Sequence, residues 1–79
     1  VQDEAIGRLI AEYRHKAGLT QRALGKLLDR PHSYVAYVET GQHRLDILEL
    51  MAFAKALGFR ASRFVEQVEK NLQARERER

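Results

Sequence analysis

Apolar residues return every third or fourth position along most of this chain, and no run of strict alternation interrupts them. That spacing marks one face of a 3.6-residue helix and lacks the period-two pattern of half-buried strands, so the sequence predicts an all-α fold. A first helix carries Ile6, Leu9, Ile10, Tyr13 and Ala17 on one stripe, opens at Asp3 and Glu4 and closes at Gly18. Thr20 is placed to cap a second helix, because its hydroxyl can accept a backbone N–H left free at a helix start. Leu24, Leu27 and Leu28 give that helix its apolar side. Asp29 tolerates a turn, and Pro31 can open a third helix where its missing N–H is no loss.

The third helix runs through Val35 and Val38 and stops at Gly41. Asp46 and Glu49 have the spacing of a capping box for a fourth, with Ile47, Leu50, Met51, Ala54 and Leu57 expected inward and Gly58 at its end. A fifth, from about Ala61, offers Phe64, Val65, Val68 and Leu72. The closing stretch QARERER has no large apolar residue. The organisation read from this pattern is one five-helix domain over residues 1–72 and a charged tail over 73–79, a frayed end or the start of a linker.

Composition narrows the class. At 79 residues the chain holds one compact domain, and its 44% hydrophobic and 32% charged residues fit a globule better than a disordered segment. No apolar run approaches the roughly 20 residues of a membrane span, and VQDEAIGR lacks the basic and apolar regions of a signal peptide. Without cysteine there are no disulfides, so stability has to come from helix packing.

Charge adds more through its distribution than through its total of +3. From Arg14 to Arg44 there are six cations (Arg14, Lys16, Arg22, Lys26, Arg30, Arg44) and two anions (Asp29, Glu39), a net +4 that leaves −1 for the rest. A concentrated basic segment is the footprint expected of a nucleic-acid binder.

Catalytic chemistry is not legible. His15, His32 and His43 are isolated, without HExxH or Cys/His spacing, so no metal and no cofactor is expected. Ser33 beside His32 is no dyad, because adjacent helix residues do not face each other. There is no glycine-rich phosphate loop, and an enzyme is not expected.

The stretch DRPHSYVAYVETGQHR, residues 29–44, instead looks like a surface meant to touch something. At about 100° per residue from Val35, the packed side of the third helix takes Val38, Pro31 and Glu39, while Ser33, Tyr37 and Thr40 fall at about 160°, 200° and 140°. Ala36 lies at about 100°, and His32 stands in the open first turn.

Two short helices joined by about three residues and packed on a first and a fourth have helix-turn-helix geometry. The ordered landmarks Leu19-Thr20-Gln21, Leu24, Leu28, Val35, Val38-Glu39, Gly41, Leu45-Asp46 and Ala56-Leu57-Gly58 resemble the phage-repressor, or Xre, type of helix-turn-helix domain over roughly residues 6–70. The resemblance implies a compact, lambda-repressor-like bundle that binds double-stranded DNA as a homodimer and regulates transcription, usually as a repressor. It implies a cytoplasmic protein, at the nucleoid when bound to DNA.

Residue by residue, it implies base contacts from His32, Ser33, Ala36 and Tyr37. Phosphate contacts would come from Gln21, Arg22, Tyr34, Thr40, Gln42, His43 and Arg44. For Tyr34 on the flank, support or a phosphate contact stands equally with a base contact, and Tyr37 has the alternative of a plain surface tyrosine. Arg14 and Glu39 are expected as a structural ion pair, and Phe64, Val65, Val68 and Leu72 as the dimer seam or, for Phe64 and Val68, as core. The chain departs from the family at His32, where glutamine is frequent, at Gly25, where alanine is usual, and at Asp29, where glycine is common. The rival reading is an antitoxin or interaction module whose tyrosines contact a partner protein.

Overall fold

In the computed structural model, which describes residues 2–77 and the side chains of 4–76, five α-helices follow in order. They are α1 Gln2–Lys16, α2 Gln21–Leu28, α3 His32–Glu39, α4 Ile47–Leu57 and α5 Ala61–Arg77. The side chain of Asp3, and Glu78 and Arg79 of the expected tail, lie outside the described residues. No described helix is long and apolar enough to cross a membrane.

The turn that sets α2 against α3 is built from local chemistry. Thr20 Oγ1 accepts the Ala23 N–H at 3.0 Å and so caps α2. At the far end Asp29 adopts a left-handed conformation, φ 56°. Its N–H donates to the Lys26 carbonyl at 3.2 Å and that of Arg30 to the Gly25 carbonyl at 2.8 Å, the paired bonds of a Schellman end. Asp29 is the only non-glycine with positive φ among the described residues. Asp29→Gly is therefore expected to stabilise the domain by about 0.5 kcal/mol, roughly 3 °C in a thermal melt. An unchanged or lower melting temperature would show that the aspartate side chain compensates its own strain.

Gly25 has a reason beyond the loss of helix propensity expected from its sequence. A Cβ built there lies 2.7 Å from the Arg30 carbonyl oxygen and 3.3 Å from the His32 nitrogen. The alanine usual in the family would push the turn away from α2, so glycine is what lets α3 begin this close. Gly7 does the same between α1 and α3: a Cβ there would sit 2.5 Å from the Glu39 carbonyl oxygen and closer still to that of Val38.

Ile10, Leu24, Val35, Val38, Phe53 and Phe64 are buried at the centre, with Leu9 at its edge. Tyr13, Phe59 and Phe64 close one end as a ring cluster, with centroids 4.5 to 6.0 Å apart.

The phase of α4 differs from the sequence expectation. Its inward residues are Leu50, Phe53, Ala54 and Leu57, whereas Ile47 and Met51 face solvent. Turning the helix this way buries Phe53, its largest side chain, completely. Ala17 and Leu27, expected inward, are exposed as well. Phe64, named for the dimer seam, is 2% exposed and belongs to the monomer core, so it has no surface left to offer a partner. The tail differs too: α5 continues to Arg77, through residues that are mostly good helix formers.

Candidate nucleic-acid interface

The last turn of α3 is fixed to α1 by charge. Arg14 Nε donates to Glu39 Oε2 at 2.6 Å and its Nη2 to Oε1 at 3.1 Å. A third donor, Nη1, satisfies the Leu19 carbonyl at 2.9 Å. Gln21 Nε2 donates to Glu39 Oε1 at 3.0 Å, so the start of α2 joins the same network. The two charged side chains are about nine-tenths buried. Removed from water, each is supportable because the other is present and the remaining hydrogen-bonding atoms are used. Among the described residues no buried side-chain nitrogen or oxygen lacks a partner. The pair takes one charge of each sign out of the basic segment, so its other residues still carry +4.

With Val35 and Val38 buried and Glu39 held beneath, the opposite side of α3 is left outward. His32 is exposed, Ser33 and Ala36 are half-buried, and Tyr37 is 52% exposed. Pro31 supplies no side-chain cap, and neither α2 nor α3 has an acidic residue in its first turn. Both N-termini thus keep the partial positive charge that favours an anion.

Behind α3 the chain turns at Gly41, φ 83°, with Gly41 N–H on the Val38 carbonyl at 3.1 Å and Gln42 N–H on that of Tyr37 at 2.9 Å. The Thr40 hydroxyl donates back to the Ala36 carbonyl at 3.1 Å, leaving its oxygen as an acceptor only. Gln42 and Arg44 are exposed beyond it, and Arg22 is exposed at the start of α2. Gln21 is nearby, but one of its amide donors is used on Glu39.

Two of the expected phosphate contacts are turned elsewhere. The Tyr34 hydroxyl donates to Glu49 Oε2 at 2.8 Å, and His43 Nε2 lies 2.8 Å from the same oxygen. The two rings meet edge to face, centroids 5.0 Å apart, with the Arg30 guanidinium 5.0 Å over the Tyr34 ring. A phosphate at these atoms would displace a carboxylate from them, so the structure gives Tyr34 and His43 a supporting place.

Glu49 also closes the capping box, accepting the Asp46 N–H at 3.0 Å while its own N–H donates to Asp46 Oδ1 at 2.7 Å. That backbone hydrogen bond is the main reason its pKa falls from the ordinary 4.5 to about 2, against the opposing effect of burial; Tyr34 and His43 lower it further. A depressed carboxylate stabilises the fold above its unfolded value, so this contribution is complete above about pH 4.5 and lost as pH falls towards 2. Burial, and then the bond to Glu49, drives the Tyr34 hydroxyl well above the ordinary tyrosine value, so it remains a donor.

Among the described residues no cluster of three or more His, Asp or Glu could hold a metal ion. Over residues 5–64 the chain matches a family model described as a helix-turn-helix domain. It is 33% identical to an XRE-family like protein from Pseudomonas syringae pv. tomato, covering 87% of this chain and 84% of that one at a TM-score of 0.79.

The chain belongs to the Xre-type helix-turn-helix family.

Xre-type membership places it in a class of DNA-binding transcription regulators. The restriction-modification controller protein C.AhdI from Aeromonas hydrophila is 30% identical, with 76% of this chain and 87% of that one covered at a TM-score of 0.71. The clp gene regulator ClgR from Corynebacterium glutamicum shares the fold at 21% identity, with 90% and 92% covered and a TM-score of 0.81. No curated protein matches the chain in sequence.

Within this Xre-type domain, sequence reasoning passed over Gly7 and the second role of Glu49. The spacing of Asp46 and Glu49 announces the cap. Nothing local announces that Tyr34, fifteen residues earlier, ends on the same carboxylate.

Proposed function

We propose that this chain is a dimeric transcription regulator that lays α3 in the major groove of a two-fold operator. The observation that carries the reading is the asymmetry of α3: its inner side is locked by a buried ion pair, and its outer side presents His32, Ser33, Ala36 and Tyr37. Polar and small side chains at the start of such a helix suit base edges and a thymine methyl. Arg22, Thr40, Gln42 and Arg44 flank it on two sides, where phosphates of a groove-bound duplex run. The names of the relatives, a controller protein and a gene regulator, agree with regulation. Such a regulator works in the cytoplasm, on the nucleoid, and repression is the outcome expected when it covers a promoter.

Pairing rests on a surface the monomer leaves uncovered. Ile47 and Met51 of α4 are 76% and 54% exposed, and Val65 of α5 is 47% exposed. Ile47 and Val65 line an apolar groove of about 140 Å³ together with Leu50 and Val68. An apolar face of this kind marks an interaction site. A second copy is the occupant we favour, because one domain offers few base contacts and a tethered partner makes the second engagement effectively intramolecular. Val65, Val68 and Leu72 then share the seam with α4. Recognition helices about 34 Å apart would read adjacent turns of one DNA face.

The test compares Arg22→Ala with Tyr37→Ala by equilibrium binding to duplexes. Arg22→Ala is expected to weaken binding to all sequences alike and to reduce the salt slope by about one, whereas Tyr37→Ala changes which sequences are preferred. Full affinity and unchanged preference in both variants would remove α3 from the groove and favour a protein-binding module.

A further inference from the structure

Three elements meet on one carboxylate. Tyr34 comes from the first turns of α3, His43 from the loop that follows α3, and Asp46 from the cap of α4, and all three reach Glu49 at 3.0 Å or less. Tyr34 directly follows His32 and Ser33, and His43 lies between Gln42 and Arg44. We propose that Glu49 is a positioning residue for DNA binding, fixing the base-reading start of α3 and the phosphate-facing loop behind it at one separation. This rests on the DNA-binding reading above and goes beyond it, since Glu49 itself need not touch DNA.

Base contacts and phosphate contacts have to be made together, and a duplex fixes the distance between them. The loop from Thr40 to Leu45 has no helix or strand of its own beyond the turn at Gly41. Backbone bonds hold its start to α3, the last of them His43 N–H on the Tyr37 carbonyl at 3.0 Å, and the side-chain tie back to the first turns of α3 runs through His43, Glu49 and Tyr34. If the loop takes its binding arrangement only part of the time, apparent affinity falls by that fraction.

His43 is expected to act on DNA affinity through Glu49, within a group of charges that includes Arg30 over the Tyr34 ring and Asp46 at the cap.

Glu49→Gln separates the two roles of this residue, because glutamine also closes a capping box but carries no charge. The experiment measures affinity for a duplex recovered by selection from random DNA. It uses the intact chain, its Glu49→Gln, His43→Gln, Tyr34→Phe and Asp46→Ala variants and the Glu49→Gln/His43→Gln double variant, each below its melting temperature. The quantity compared is the coupling between His43 and Glu49, the loss in the double variant set against the sum of the two single losses.

Glu49→Gln is expected to lower affinity roughly ten-fold, with Tyr34→Phe lowering it less, and the double variant is expected to lose no more than Glu49→Gln alone. Asp46→Ala, which damages only the cap, is expected to lower melting temperature with little change in affinity while folded. Losses that simply add in the double variant would overturn the proposal and return His43 to direct phosphate contact. An equal affinity loss in Asp46→Ala would also overturn it, in favour of simple helix capping. A wild-type chain that binds no duplex overturns the DNA reading and this inference together, an outcome recognised because the unmutated protein itself fails.

Discussion

Glu39→Ala is expected to cost about 3–5 kcal/mol of folding stability, because it leaves the Arg14 guanidinium buried with no counter-charge. For a domain this small, with about 5–10 kcal/mol in total, that lowers the melting temperature by roughly 15 °C or more. Both partners are about nine-tenths covered, and Glu39 receives three of the hydrogen bonds that hold α1, α2 and α3 together. The loss is one of unpaired charge more than of attraction, which gives the prediction a second arm. Replacing Arg14 and Glu39 together with methionine should recover most of the stability lost in Glu39→Ala. Thermal melts of the single and double variants, beside an exposed control such as Glu66→Ala, decide it. A single variant that melts with the control would mean the pair carries no weight in the fold.

Gly7→Ala is the second large effect, and its sign is diagnostic. Mid-helix, exchanging glycine for alanine ordinarily gains about 1 kcal/mol of helix propensity. Here the added methyl meets backbone carbonyls of Val38 and Glu39, which cannot swing aside as a side chain can. Relief requires α1 and α3 to part, and overpacking of that kind costs about 3 kcal/mol. Chemical denaturation should show a clear loss of stability. A gain would mean that α1 and α3 pack less closely than the structure shows. The position matters for function as well, because parting these helices moves the Glu39 end of α3 and tilts the outward face.

Much of this architecture was written in local signals. Thr20, Gly41 and the Asp46–Glu49 spacing announce helix boundaries through bonds made within a few residues. The outward face of α3 was legible for a similar reason: its two valines lie close together on an otherwise mixed helix, so one orientation buries them both.

The phase of α4 was not legible in the same way. Its sequence ILELMAFAKAL is apolar almost all round, so Leu50, Ala54 and Leu57 can face inward with Ile47 and Met51 beside them or with Phe53 beside them. Only the tertiary fit of Phe53 against the core selects between them. That choice also moves the candidate dimer face, adding the outer side of α4 to α5. Gly7 and Glu49 were missed because their significance lies across the fold, in a helix crossing and in a side chain shared by two distant residues.

Selection from random duplex DNA by the intact chain, followed by sequencing of the bound molecules, decides whether α3 reads an operator. Recovery of a two-fold motif, with half-sites about one helical turn apart, is the result predicted. Recovery of no motif, with only weak binding that salt abolishes, would contradict it and leave the outward face of α3 to a protein partner.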